Sequence, residues 1–144
     1  MPTEEHFRKL ERMYLTAPTN AYYNPSIEIS EGLANVSIPV DPKHFHAADA
    51  VHGSVYFKAL DDAAFFAVQS LVEDVFVLTV SFTLYLTRPI TEGIMHSTGK
   101  VVNTSKRLYL AESVIVDSEG KQIARGNGSF MRSEIKLEVK IGYK

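Results

Sequence analysis

Residues 53 to 71, "GSVYFKALDDAAFFAVQSL", carry apolar side chains around most of a helical circumference: Val55, Tyr56, Phe57, Leu60, Ala63, Ala64, Phe66, Ala67, Val68 and Leu71 leave no wide polar face. A helix apolar all round is stable only when it is covered on every side. The rest of the chain must therefore supply a wrapper. Residues 76 to 86 alternate strictly, with Phe76, Leu78, Val80, Phe82, Leu84 and Leu86 expected on one face and Val77, Thr79, Ser81, Thr83, Tyr85 and Thr87 near or on the other. Strand-like runs follow at about 94–104, 107–117 and 121–132, the last two joined by the turn "DSEGK". Before the helix, Ile27 and Ile29, then Ala34, Val36, Ile38 and Val40, read as a hairpin turning at Glu31-Gly32. Strands consecutive in sequence pair antiparallel, so the expected class is α+β, an antiparallel sheet around one long central helix.

The flanks are less informative. Thr3 is a suitable N-cap for a short amphipathic helix over about 3–15 that presents Phe7, Leu10 and Tyr14, and "TAPTNAYYNPS" breaks it. Residues 41 to 51 read as a loop, because Pro42 disfavours a helix and small polar residues dominate. The tail, 133–144, alternates polar and apolar residues without a place in the scheme. At 144 residues the chain fits one domain, 1–144, with its core over about 27–132.

Composition removes several classes of function. A net charge of −2 lacks the basic surplus of a nucleic-acid binder. No apolar run reaches the ~18 residues of a membrane span, and the charged start "MPTEEHFRKLERM" is unlike a signal peptide, so a cytoplasmic location with no membrane partner is expected. The absence of cysteine excludes disulfides, thiolate metal sites and thiol nucleophiles.

Against that background the adjacent Asp61 and Asp62 need a reason. A carboxylate in a low-dielectric core is costly unless it is paired, solvated or part of a site. Neighbours on a helix point ~100° apart, so the two cannot serve one partner equally.

The order of elements, "HGS" at 52–54 opening the helix, "ALDDAA" at 59–64, Arg88-Pro89 after the next strand and "DSEG" at 117–120 together resemble the hotdog-fold acyl-CoA thioesterases, in particular the PaaI-like group. The resemblance covers about residues 27 to 132. It implies a hotdog fold, an acyl-CoA hydrolase, and coenzyme A entering as part of the substrate with no further cofactor. It carries the family's carboxylate to Asp61, its substrate-facing amide to Gly53 and its histidine to His52, and leaves Asp62 mainly structural. Three departures stand out: Ser54 replaces the second glycine of the family's pair, His46 stands where relatives often place Asn or Gln, and Phe65 stands where some carry a hydroxyl.

Gly53 and Asp61 are separated by ~12 Å of helix at ~1.5 Å per residue. A base and an oxyanion donor acting on one carbonyl must lie within a few ångströms of it. One chain cannot satisfy both. A two-fold dimer with antiparallel helices can, and the expected partner is a second copy, as a homodimer or a homotetramer. In the expected mechanism the Gly53 amide and the helix dipole polarise the thioester carbonyl, while the partner subunit's Asp61 acts as general base on water or as nucleophile. His52 either orients the loop or thioester, or is a structural histidine at the helix start; His46 either positions water or is a loop histidine. Substrate contacts are expected from His46 and Ser54, from acyl-pocket aromatics Tyr56, Phe57, Phe65 and Phe82, and from Arg88, Lys106 and Arg107 toward the coenzyme A phosphates. His44, His46 and His52 with Asp41 or Asp49 supply ligand types that zinc accepts, but the spacing matches no zinc signature and no metal is expected. The alternatives are a non-catalytic acyl-CoA binding or sensing module on the same fold, and a hydratase or dehydratase of acyl thioesters.

Overall fold

A computed structural model describes residues 2–144 of the chain. Helix α1 (Glu4–Thr16) begins where the Thr3 hydroxyl accepts from the His6 N–H at 3.1 Å, with Glu4 and Glu5 in its first turn against the helix dipole. It buries Phe7, Leu10, Met13 and Tyr14 on one face. The expected break after it contains a second short helix, α2 (Asn20–Tyr23), which Asn24 ends in the left-handed region at φ 51°. Strands β1 (Ser26–Ser30) and β2 (Leu33–Pro39) form the expected hairpin, with Gly32 at φ +71° in the turn.

The segment expected as plain loop holds a 3-10 turn, Pro42–His44. Pro42 does not oppose it, because a proline in the first turn loses no hydrogen bond, and Asp41 caps the turn by accepting from the Lys43 N–H at 3.0 Å. Helix α3 (Gly53–Gln69) then runs through the centre, followed by β3 (Val75–Leu86), β4 (Ile94–Thr104), β5 (Leu108–Val116) and β6 (Gln122–Lys136). The tail ends in a 3-10 turn, Val139–Ile141. Among the described residues no helix is long and apolar enough to cross a membrane.

The six strands form one antiparallel sheet in the order β1-β2-β4-β5-β6-β3. It wraps around α3 in the arrangement that the hotdog resemblance implies. Contact is close because Ala59, Ala63, Ala64 and Ala67 are fully buried on the helix, and a Cβ at Gly99 of β4 would collide with the Ala63 backbone. Two residues of the expected apolar ring depart: Phe57 is 40% exposed, and Leu71 is half-buried in the turn beyond the helix, which ends at Gln69 rather than Leu71 because the chain turns there toward β3.

The expected alternation of β3 also fails partway. Thr79 pairs with Phe130 and Ser81 with Ser129, so Val80 is an extra residue in the ladder, a β-bulge. A shift of one residue exchanges the faces of a strand. Upstream of Val80, Val77 is buried and Thr79 faces the helix, while Leu78 and Val80 are 47% and 56% exposed; downstream, Phe82 and Leu84 pack against the core. The single apolar face expected over 76–86 is thus broken at Val80, while Phe76 at its start still packs against the core and Leu86 at its end is exposed.

The two ends of the chain close on each other. The His6 Nε2–H donates to the Gln69 carbonyl at 3.0 Å, which leaves Nδ1 to accept from the Tyr143 hydroxyl at 2.7 Å. Gln69, fully buried, donates to the Val72 and Val75 carbonyls at 3.0 and 2.9 Å and accepts from the Val77 N–H at 2.8 Å, fastening the end of α3 to the start of β3.

Candidate active site

Two concavities lie at different levels of α3. The smaller, about 340 Å³, sits at the helix N-terminus and is lined by His46, Val51, Gly53, Tyr56, Leu86, Thr87, Arg88 and Pro89. The helix starts there because His52 is extended (φ −66°, ψ 146°) and its Nδ1 accepts from the Ser54 N–H at 3.0 Å. The same nitrogen lies 2.9 Å from the Ser54 hydroxyl. Accepting at Nδ1 puts the ring proton on Nε2, so the exposed face of His52 is a donor. Gly53 is the first helical residue, and its N–H is one that the helix itself leaves without an acceptor. A Cβ there would lie 3.1 Å from Leu86 Cδ1, so a side chain at this position would press on Leu86. His46 is exposed and accepts from the Ala48 N–H at 3.0 Å within a tight turn. The buried Tyr56 donates to the Arg88 carbonyl at 2.8 Å and thereby moors the Arg88-Pro89 segment to the helix.

The larger concavity, about 870 Å³, lies about two helical turns further on. Its inner wall is Asp61, Asp62, Phe65 and Phe66 of α3 with Phe76, Leu78 and Thr79 of β3; α1 and the tail residues 139–142 complete it. Thr79 faces inward because of the Val80 bulge and donates its hydroxyl proton to Asp61 at 2.9 Å. Burial pushes the Asp61 carboxyl up to about 6, the Thr79 hydrogen bond opposes this, Asp62 adds to it and Lys58 opposes it. Asp62 takes different partners, Lys58 Nζ at 2.7 Å and the Tyr14 hydroxyl at 2.6 Å. Burial pushes its carboxyl up against those two partners, and burial together with Asp62 pushes the Tyr14 phenol up. The expectation that the two aspartates take different partners agrees with this geometry. Asp62, expected to be mainly structural, lines the same wall as Asp61 and is held there by α1.

The structure divides the sequence-derived site residues. His46, Gly53, Tyr56 and Arg88 share the smaller concavity, with His52 and Ser54 capping the helix beside it; Asp61 and Phe65 share the larger. Phe57 and Phe82 stack edge to face at 5.7 Å and line neither. Lys106 and Arg107 are exposed at the tip of the β4–β5 hairpin, also outside both. The histidines of the 44–52 segment do separate jobs, His44 being buried with neither ring nitrogen partnered. Among the described residues no group of three or more His, Asp or Glu could hold a metal ion. Thr79, Tyr14 and Lys58 were not singled out from sequence. Tyr14 stood on the apolar stripe of α1 and Lys58 at the i,i+4 spacing to Asp62, whereas the bulge hid Thr79.

Comparison with known proteins bears on this arrangement. A protein of Saccharolobus solfataricus, named as a candidate esterase, is 22% identical over 137 residues, covering 95% of this chain and 94% of that one. The chain is similar in structure to the E. coli PaaI protein from the phenylacetic acid degradation operon, with a TM-score of 0.85 and 20% identity over 94% of this chain and 99% of that one. A thioesterase family protein from Silicibacter pomeroyi gives a TM-score of 0.79 at 24% identity, over 86% of this chain and 95% of that one. These likenesses establish the hotdog fold. The model of the thioesterase superfamily matches residues 49–124, a span that runs from the turn before α3 to the first residues of β6 and holds both concavities' helical walls. Sharing that fold and that sequence pattern over more than half its length, the chain belongs to the thioesterase superfamily.

Proposed function

We propose that the chain is an acyl-CoA thioester hydrolase whose site is completed by a second copy. The observation that carries this reading is the separation of Asp61 from the Gly53 amide: each lines its own concavity along one helix, and neither concavity alone holds both a carboxylate and that amide. Strand β3 supports the assembly. Among the described residues it pairs with β6 alone, so its other edge is open, and Leu78, Val80 and Tyr85 are 47%, 56% and 62% exposed along it. Pairing this edge with its two-fold copy would extend the sheet and bury those side chains.

In the proposed complex the thioester oxygen accepts from the Gly53 N–H at the positive end of α3, and the acyl group enters the cleft lined by Phe65 and Phe76 of the partner. Asp61 takes a proton from water as the water oxygen bonds to the carbonyl carbon. The tetrahedral intermediate collapses by breaking the carbon–sulfur bond, and the proton held by Asp61 passes to the departing thiolate. A carboxyl raised to about 6 by burial is a stronger base than an ordinary carboxylate, as this route requires. Arg88 stands at the smaller concavity, where it could meet a coenzyme A phosphate, and Lys106 and Arg107 would have to reach it from another face.

The test is thiol release from a panel of aryl and aliphatic acyl-CoAs, with Asp61→Asn as the control. Turnover by the wild type and its loss by ~100-fold or more in the variant is expected. Stabilisation by acyl-CoA without turnover would instead favour the binding module.

A further inference from the structure

Lys58, Asp61 and Asp62 stand at i, i+3 and i+4 on α3, so the ammonium group has two carboxylates within helical reach. It uses one. Its Nζ is 2.7 Å from Asp62, and both side chains are largely buried, at 14% and 13% exposure. Three further contacts hold it there. The Tyr14 hydroxyl fixes Asp62 at 2.6 Å, and Lys58 Nζ lies 5.3 Å from the Tyr14 ring centre and 5.2 Å from that of Tyr23, two aromatic faces that attract a cation. Asp61, one residue away, is left with a neutral hydroxyl from Thr79.

The difference matters chemically. A lysine paired with the reacting carboxylate would stabilise its charge, lower its affinity for a proton and occupy the lone pairs that water must approach. We propose that Asp62 is a positioning residue which, with Tyr14 and Tyr23, sequesters Lys58 away from Asp61 and so leaves Asp61 available as a base. The proposal rests on the reading of Asp61 as the reacting carboxylate. The charged and titratable groups facing Asp61 are Lys58 and Asp62 from its own helix and Tyr14 from α1; Lys140 and Lys144 of the tail line the outer wall of the same cleft, while β3 contributes only the uncharged Thr79.

Asp62→Asn is the decisive variant, because the amide retains an acceptor for Tyr14 and removes only the charge that holds Lys58. With Asp62 neutral, Lys58 turns to Asp61. The acid limb of kcat/KM against pH then moves to lower pH and the plateau falls about tenfold. In Asp62→Asn with Lys58→Met the freed cation is gone, so the limb returns to or above its wild-type position and at least half of the lost rate is regained. A purely structural Asp62 predicts the opposite, that a second substitution in the same buried network makes matters worse. An unmoved limb in Asp62→Asn, or a double variant no more active than the single one, overturns the proposal. Carbon-detected NMR titration of the Asp61 carboxyl needs no turnover: because the Asp62 charge itself raises Asp61, the reading is the effect of Lys58→Met, which should raise the midpoint more in the Asp62→Asn background than in the wild type, and an equal rise in the two overturns sequestration. If Asp61→Asn instead proves as active as the wild type, the assignment of Asp61 itself fails, an outcome separate from the NMR result.

Discussion

The hydroxyl of Thr79 donates to Asp61 at 2.9 Å across the gap between β3 and α3, a neutral group that stabilises the charged form of that carboxylate. Hydrolysis by the deprotonated form should therefore rise with pH through a midpoint near 6, the value to which burial lifts Asp61. In Thr79→Val the charged form loses its donor. A hydrogen bond to a charged group contributes about 1.5 kcal/mol, or roughly one pH unit, so the midpoint should move up by about that much in a pH–rate profile.

The same carboxylate should cost stability. Its folded pKa of about 6 lies above the ordinary 3.8, so the folded state binds the proton more tightly than the unfolded one. Stability is then greatest below the unfolded value, falls as pH rises from about 4 to 6, and stays at the lower level above that window. Asp61→Asn removes the penalty. Thermal melts should show the variant more stable than the wild type at pH 7.5, by up to ~3 kcal/mol, with the gap closing as pH falls toward 4.

Gly53 offers a substitution that deletes one atom's function. It is the first helical residue and follows an extended His52, the backbone setting in which proline is well tolerated. Gly53→Pro should keep the helix and melting temperature near those of Gly53→Ala while removing the amide donor, with kcat lower by roughly 100-fold than in the alanine variant. Equal rates in the two would detach the amide from catalysis.

Gln69→Leu should destabilise the fold by roughly 3 kcal/mol in urea titration, because two carbonyls and the Val77 N–H would be left buried without their partner. A change below ~1 kcal/mol would show that water replaces the amide.

The tail supplies the outer wall of the acid-bearing cleft, with Val139 and Ile141 lining it and Tyr143 bonded to His6. Ile141→Trp should shrink that space. On the proposed function, kcat/KM should fall for long or bulky acyl-CoAs by at least tenfold more than for acetyl-CoA, with the pH midpoint unmoved.

Much of this architecture could be read from residue order. The helix expected over 53–71 and found over 53–69, the hairpin at Glu31-Gly32 and the turn in "DSEGK" each had local signals, namely a continuous apolar run, a glycine that takes positive φ, and an aspartate that accepts from the Glu119 and Lys121 N–H groups. What escaped depends on contacts between distant segments. Thr79 looked like the polar side of an alternating strand, because nothing in "VFVLTVSFTLYL" marks where the ladder gains a residue. Tyr14 looked like ordinary core, and its hydrogen bond to Asp62 spans 48 positions. The tail had no assignable role because its packing surface, α1, lies at the far end of the chain.

The bulge at Val80 also governs how this chain should be lined up with others. In a relative whose third strand lacks the extra residue, the position opposite Asp61 shifts by one, and an ungapped alignment would set Val80 or Leu78 where Thr79 belongs. Transplanting residues 75–79 without the bulge would leave either that aspartate without its donor or Phe82 turned to solvent. The inserted valine is thus a register mark: insertions and deletions on either side of it should be placed separately, and comparisons of residue identity across it hold only when the gap sits at position 80.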